Sequence, residues 1–199
     1  MNKLDLPDPE AAASAPGKRR RHLRATLLLS AVCMGAATPA LAEHQGWQTA
    51  ADVGAIGLVT VAMGKSAAEH DWQGVKQFGL TEATTVGVTA GLKSAFPEER
   101  PNHADDKSFP SGHASVSFAA AGYLQKRYGW QWGLPATLAA GVVGLARLES
   151  KDHHWYDVVA GAALGEATAY IFTSPRDSNV QFLPWADIHG GGVYLAARF

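Results

Sequence analysis

The sequence predicts an all-α fold: an antiparallel bundle of about five helices followed by a short C-terminal β-hairpin. Three observations carry this. Between residues 47 and 173, five stretches dominated by Ala, Gly, Val, Leu and Thr are each long enough for four or five helical turns. The connections between them are short, which sets neighbouring helices antiparallel. Beyond residue 178 the pattern changes to strand-like alternation.

The first 42 residues read as a signal peptide rather than part of the bundle. Lys18 to Arg24 is a basic run, Ala25 to Met34 is apolar, and Ala40-Leu41-Ala42 has the small-x-small form of a processing site. Cleavage after Ala42 places the mature chain in the periplasm or outside the cell. The competing reading is an uncleaved anchor over 25–41, a length that barely spans a bilayer. Cys33, the one cysteine, falls in this segment, so a chain cut after Ala42 holds no intrachain disulfide. Of 17 Lys/Arg and 18 Asp/Glu, six and three lie in residues 1–42, leaving 11 basic and 15 acidic and a net charge of −4. A mildly acidic domain without a basic patch argues against a nucleic-acid partner.

The helices are expected over 47–64, 76–95, 112–128, 133–149 and 154–173. Pro110-Ser111-Gly112 opens the third, Tyr128-Gly129 closes it, and Gly133-Leu134-Pro135 opens the fourth. The tail divides into strands over 179–185 and 192–199, with 186–191 as the turn. In the second strand Val193, Leu195, Ala197 and Phe199 alternate with Tyr194, Ala196 and Arg198. The domain plan is therefore a signal over 1–42, a helical domain over 43–178 and a hairpin tail over 179–199.

Topology makes a strong statement about chemistry. The second helix ends at Lys93, the third begins at Ser111, the fourth ends at Arg147 and the fifth begins at His153. In an up-and-down bundle all four ends meet at one pole. The groups gathered there suit phosphate. Arg100 and Arg147 can grip phosphate oxygens in a fork, and Lys93 adds a point charge. Gly112 admits a ligand close to the backbone, and a helix start offers free N–H groups to an anion. His113 sits beside that start. His153 and Asp157 are four apart, so on a helix they share a face, and a carboxylate there can hold the imidazole in one tautomer with its other nitrogen free to attack.

The segments Lys93-Ser-Ala-Phe-Pro-Glu-Glu-Arg100-Pro101, Pro110-Ser111-Gly112-His113 and Arg147-x5-His153-x3-Asp157 resemble the signature of the type 2 phosphatidic acid phosphatase superfamily. That superfamily includes bacterial acid phosphatases, membrane lipid phosphatases and vanadium haloperoxidases. The resemblance covers roughly Lys93 to Asp157, and it departs only at Ala146, where many members carry serine. It implies a phosphatase acting on phosphate monoesters or diphosphates, on a lipid or a small molecule, without metal or other cofactor. It implies His153 as nucleophile through a phosphohistidine, Asp157 as its orienting group and His113 as acid for the leaving oxygen. It implies Lys93, Arg100, Ser111, Gly112 and Arg147 as the phosphate-binding set.

Other readings stand beside this one. A phosphate- or lipid-binding module without chemistry would need no paired acid and nucleophile. A vanadate-dependent haloperoxidase shares the pocket, but such relatives are much longer. Asp105 and Asp106 could suggest a metal ion, although a solvated loop bordering the pocket is the simpler reading. Lys107 divides between the phosphate field and the surface. Trp130, Trp132 and Trp155 read as packing or interface aromatics. Small-residue helices suit a membrane, but a mean hydropathy of −0.07 and Glu166 inside the last helix favour a periplasmic bundle resting on a membrane over an integral inner-membrane protein.

Overall fold

A computed structural model describes residues 44–176, 180–187 and 189–197. The proposed signal segment lies outside the described residues. Five helices follow one another: α1 (His44–Ala68), α2 (Trp72–Ala95), α3 (Gly112–Tyr128), α4 (Trp130–Glu149) and α5 (Trp155–Phe172). The chain then forms β1 (Val180–Asp187) and β2 (Gly190–Ala197), which pair antiparallel. The bundle and the hairpin are as the sequence predicts.

The boundaries differ in instructive ways. α1 and α2 reach further toward each other, over 44–68 and 72–95, because Asp71 caps α2 by accepting from the Gly74 N–H at 2.9 Å. α4 starts at Trp130, three residues early, with Pro135 inside it. Only Gly129, at φ +86°, separates it from α3, a left-handed conformation that glycine accepts cheaply. The hairpin turn expected over 186–191 is shorter in the structure. The ladder runs on through Asp187 and Gly190, giving backbone groups of the glycine-rich stretch partners that a longer turn would not.

The core is built from small side chains. Ala51, Ala55, Leu58 and Ala62 of α1 meet Ala120, Ala121 and Leu124 of α3 and Ala136, Ala140 and Val143 of α4. Such residues let helices approach closely. The closest approach is α3 on α5: a Cβ on Gly161 would lie 2.5 Å from the Ser111 carbonyl oxygen, and one on Gly165 would lie 2.2 Å from that of Ser115. This contact seats the start of α5 against the start of α3, the arrangement that brings the second and third motifs together.

At the opposite pole, Arg127 ties the helix ends down. It is buried and donates twice to Asp71, at 2.6 and 2.8 Å, and once to the Ser174 carbonyl at 2.9 Å. Burial raises the Asp71 carboxyl, but its bonds to Arg127, Gly74 and Tyr128 outweigh that and hold it below the ordinary range.

The outer surface is unusually apolar. Leu134, Leu138, Val142 and Leu145 form one exposed stripe along α4, and Val53, Ile56 and Met63 are exposed on α1. Trp72 and Trp130 stand exposed at one pole, Trp155 and Tyr156 at the other. Trp132 instead packs against the core. Among the described residues, α1 has the length and composition of a membrane span, over Gln45–Ala68.

Candidate active site

A cavity of about 860 Å³ opens at the pole where the motifs meet. Its lining includes Lys93, Arg100, Gly112, His113, Arg147 and His153. Six of the eight residues singled out from sequence thus face one space. The other two, Ser111 and Asp157, are fully buried beside it.

The cations are held in place by the backbone and by acids. Lys93 donates to the carbonyls of Lys107 at 2.6 Å and Ser108 at 3.3 Å. Its own burial and the nearby Arg100 push its ammonium down to about 8. Arg100 donates to Asp105 at 2.7 Å and to the Asp152 carbonyl at 2.9 Å. The acidic loop therefore orients an arginine. Arg147 is nearly buried and pairs with Asp152 at 2.9 Å, while its Nε lacks a partner among the described residues.

Gly112 and Ser111 play different parts. A Cβ at Gly112 would meet nothing nearer than Thr89 at 3.9 Å, so the room left by the missing side chain belongs to the cavity. The Ser111 hydroxyl caps α3 by accepting from the Ala114 N–H at 3.5 Å, and its own N–H donates to the Asp157 carbonyl at 3.0 Å. Ser111 thus joins α3 to α5.

His153 lies in the loop before α5, and α5 itself starts at Trp155. The shared helical face expected for His153 and Asp157 is therefore replaced by a capping turn. Asp157 accepts from the His154 N–H at 2.8 Å and from the Ser108 hydroxyl at 2.5 Å. Its carboxylate lies 3.7 Å from His153 Nδ1, an ion-pair distance too long for a hydrogen bond. His153 Nε2 faces Arg100 at 3.3 Å. Burial first, then Arg100, Arg147 and Lys93, push the His153 imidazole well down, against Asp157. The ring is neutral and surrounded by cations, the state a nitrogen nucleophile requires.

Several contributing residues carry no motif signal. Asp52 of α1 accepts from His113 Nε2 at 2.7 Å. Gln48 of α1 and Asn102 donate to Asp152, at 3.1 Å and 2.8 Å. Ser108 holds Asp157. Tyr156 donates to Glu98, and the His154 ring stacks on Tyr156 with centroids 5.0 Å apart. Deeper in the same cavity, Glu82 of α2 keeps its carboxyl away from water, and burial raises it to about 8. A helix heptad on a polar segment could have flagged Asp52 and Gln48, but only their packing on α3 and the 150–154 loop makes them part of a site.

Comparison with known proteins places the chain in a family. A lipid A 4'-phosphatase of Helicobacter pylori is 32% identical over 130 residues, which cover 60% of this chain and 63% of that protein. Diacylglycerol pyrophosphate phosphatase 1 of Saccharomyces cerevisiae is 32% identical over 102 residues, covering 41% of this chain and 34% of that one. The chain thus spans less than two thirds of the length of these curated relatives. The crystal structure of Aquifex aeolicus LpxE shares the fold, with a TM-score of 0.57 at 22% identity over 73% of this chain and 92% of that one. The family model of the PAP2 superfamily matches residues 74–179, and with the three motifs meeting at one pole, the chain belongs to the PAP2 superfamily.

Proposed function

We propose that this protein is a phosphoric ester hydrolase that cleaves phosphate monoesters or diphosphates through a phosphohistidine, without a metal ion. The observation that carries this reading is the cavity itself. It sets a neutral, buried His153 among Lys93, Arg100 and Arg147, with His113 in the same lining. Three cations and the α3 start supply the charge that metal ions supply elsewhere. In the first step the Nε2 lone pair of His153 attacks phosphorus while the ester oxygen departs with the His113 proton. Asp157 stabilises the positive charge that develops on the imidazole. In the second step water, giving its proton to His113, displaces His153 and releases phosphate.

The substrate is proposed to be a lipid phosphate. The relatives named above act on lipid A and on diacylglycerol pyrophosphate. The apolar arm of the cavity, with Ala55, Ile56, Val59, Val86 and Val116, suits an acyl chain next to a phosphate. The exposed apolar faces of α1 and α4 fit a bundle associated with a membrane, its site at the outer surface. The test is phosphate release from soluble esters and lipid phosphates in EDTA, with detergent varied. Turnover of lipid phosphates in the chelator is expected. Activity lost in EDTA and restored by a divalent ion would overturn the metal-free reading.

A further inference from the structure

The acid side of the reaction needs a proton kept on His113, and α1 supplies a group placed to keep it there. We infer that Asp52 is the positioning residue of the leaving-group acid: its carboxylate orients the His113 ring and favours its protonated form, and so speeds turnover of substrates whose leaving oxygen must be protonated. The inference rests on the phosphatase reading above.

Asp52 Oδ1 lies 2.7 Å from His113 Nε2. Both residues line the cavity that holds His153. Asp52 comes from α1, ahead of residues 74–179 that match the family model, so no motif of that segment contains it. It is more than half exposed, its hydrogen bond goes to this imidazole, and its charge also acts on Arg147.

The need for such a group follows from the neighbourhood of His113. Arg147 faces it from α4, Asp152 from the loop before α5, and Asp52 from α1. Lys93 and Glu82 of α2, Arg100 and His153 share the cavity. Burial and Arg147 push the His113 imidazole down, and Asp52 is the largest opposing influence. Without Asp52 the ring would lose its proton at lower pH.

In the step it serves, the bond from His153 Nε2 to phosphorus forms as the bond from phosphorus to the ester oxygen breaks. The His113 proton moves to that oxygen, which leaves as a neutral alcohol. His113 is left neutral and regains its proton from the attacking water. Asp52 remains a carboxylate throughout, changing partner from His113⁺ to neutral His113 and back. A leaving group that departs as a stable anion makes no use of this pair.

The experiment compares Asp52→Asn with the wild-type full chain on an alkyl phosphate and on p-nitrophenyl phosphate across pH. Activity that depends on protonated His113 falls as pH rises through its pKa. Removing the carboxylate should move that basic limb down by about one pH unit, the worth of one charge-assisted hydrogen bond. Alkyl phosphate turnover should fall about 10–100-fold, within the range of general-acid help, with p-nitrophenyl phosphate affected less than threefold. Asp52→Glu should restore most of the alkyl activity, and it serves as the readout should Asp52→Asn not fold. Equal losses on both substrates with an unmoved limb, or an Asp52→Glu variant that loses both alike, would overturn the inference while leaving the phosphatase reading intact. A wild-type chain that cleaves neither ester would instead overturn that reading, and the inference with it.

Discussion

A histidine that must attack phosphorus has to be unprotonated in the presence of three cations, and His153 meets that condition through its surroundings. Burial, Arg100, Arg147 and Lys93 all disfavour a further positive charge, so the ring stays neutral well below the ordinary imidazole value of about 6.5. The sign is clear: activity that needs the neutral ring is lost only as pH falls through a lowered pKa. The acid limb of kcat/KM is therefore expected below pH 6, read from a pH series on a soluble ester. Rapid alkaline quench with labelled substrate should leave an acid-labile, base-stable phosphoenzyme in the wild type and none in His153→Ala. Normal turnover by that variant would remove His153 from the nucleophile's role. Arg147 lines the cavity beside His153, and a guanidinium there can grip the phosphoryl oxygens. Arg147→Ala should cost about 10²–10³ in kcat.

Helices make the site by ending together, and the α3–α5 contact decides how accurately they do so. Gly161 and Gly165 leave no room for a side chain against the backbone of α3. Gly165→Val should push α5 away and cost about 1–3 kcal/mol of stability, measured by denaturant unfolding in detergent. The same change should lower activity by displacing His153 and Asp157 from Ser108 and Ser111. Full activity with intact stability in that variant would mean the helix starts are placed some other way. At the far pole, the Asp71–Arg127 pair has a different role. Arg127→Ala strands a buried carboxylate and should cost about 3–5 kcal/mol while leaving catalytic residues untouched. Because the folded Asp71 pKa lies below its unfolded value, the stability from this pair is present above about pH 4 and is lost as pH falls further.

On the scale of the molecule, the apolar exterior fits the membrane association proposed above. Washing membranes with carbonate separates the possibilities. Retention in the washed membranes, with residues 25–42 still present by N-terminal sequencing, would establish an integral protein. Release with Glu43 as the first residue would establish an exported one. Vanadate, a mimic of the pentacoordinate phosphorus, should inhibit in either case, since the same helix ends meet at one pole.

Sequence alone determined the helix count, the polarity of each helix and the pole at which Lys93, Arg100, Gly112, His113, Arg147 and His153 gather. Those follow from local signals: apolar runs, caps, short connections and three motifs whose spacing places charged residues at helix ends. It also led to an Asp157 that shares a helical face with His153, where the structure has a capping turn and a 3.7 Å separation. Local periodicity cannot foresee that the first turn of α5 would use Asp157 for its own N–H groups and for Ser108. Only the tertiary structure decided that Asp52 and Gln48 of α1, some 60 and 100 residues from their partners, support His113 and Asp152. Contacts over such separations depend on how helices pack, and packing is set by small side chains such as Gly161 and Gly165 that carry no chemical signal of their own.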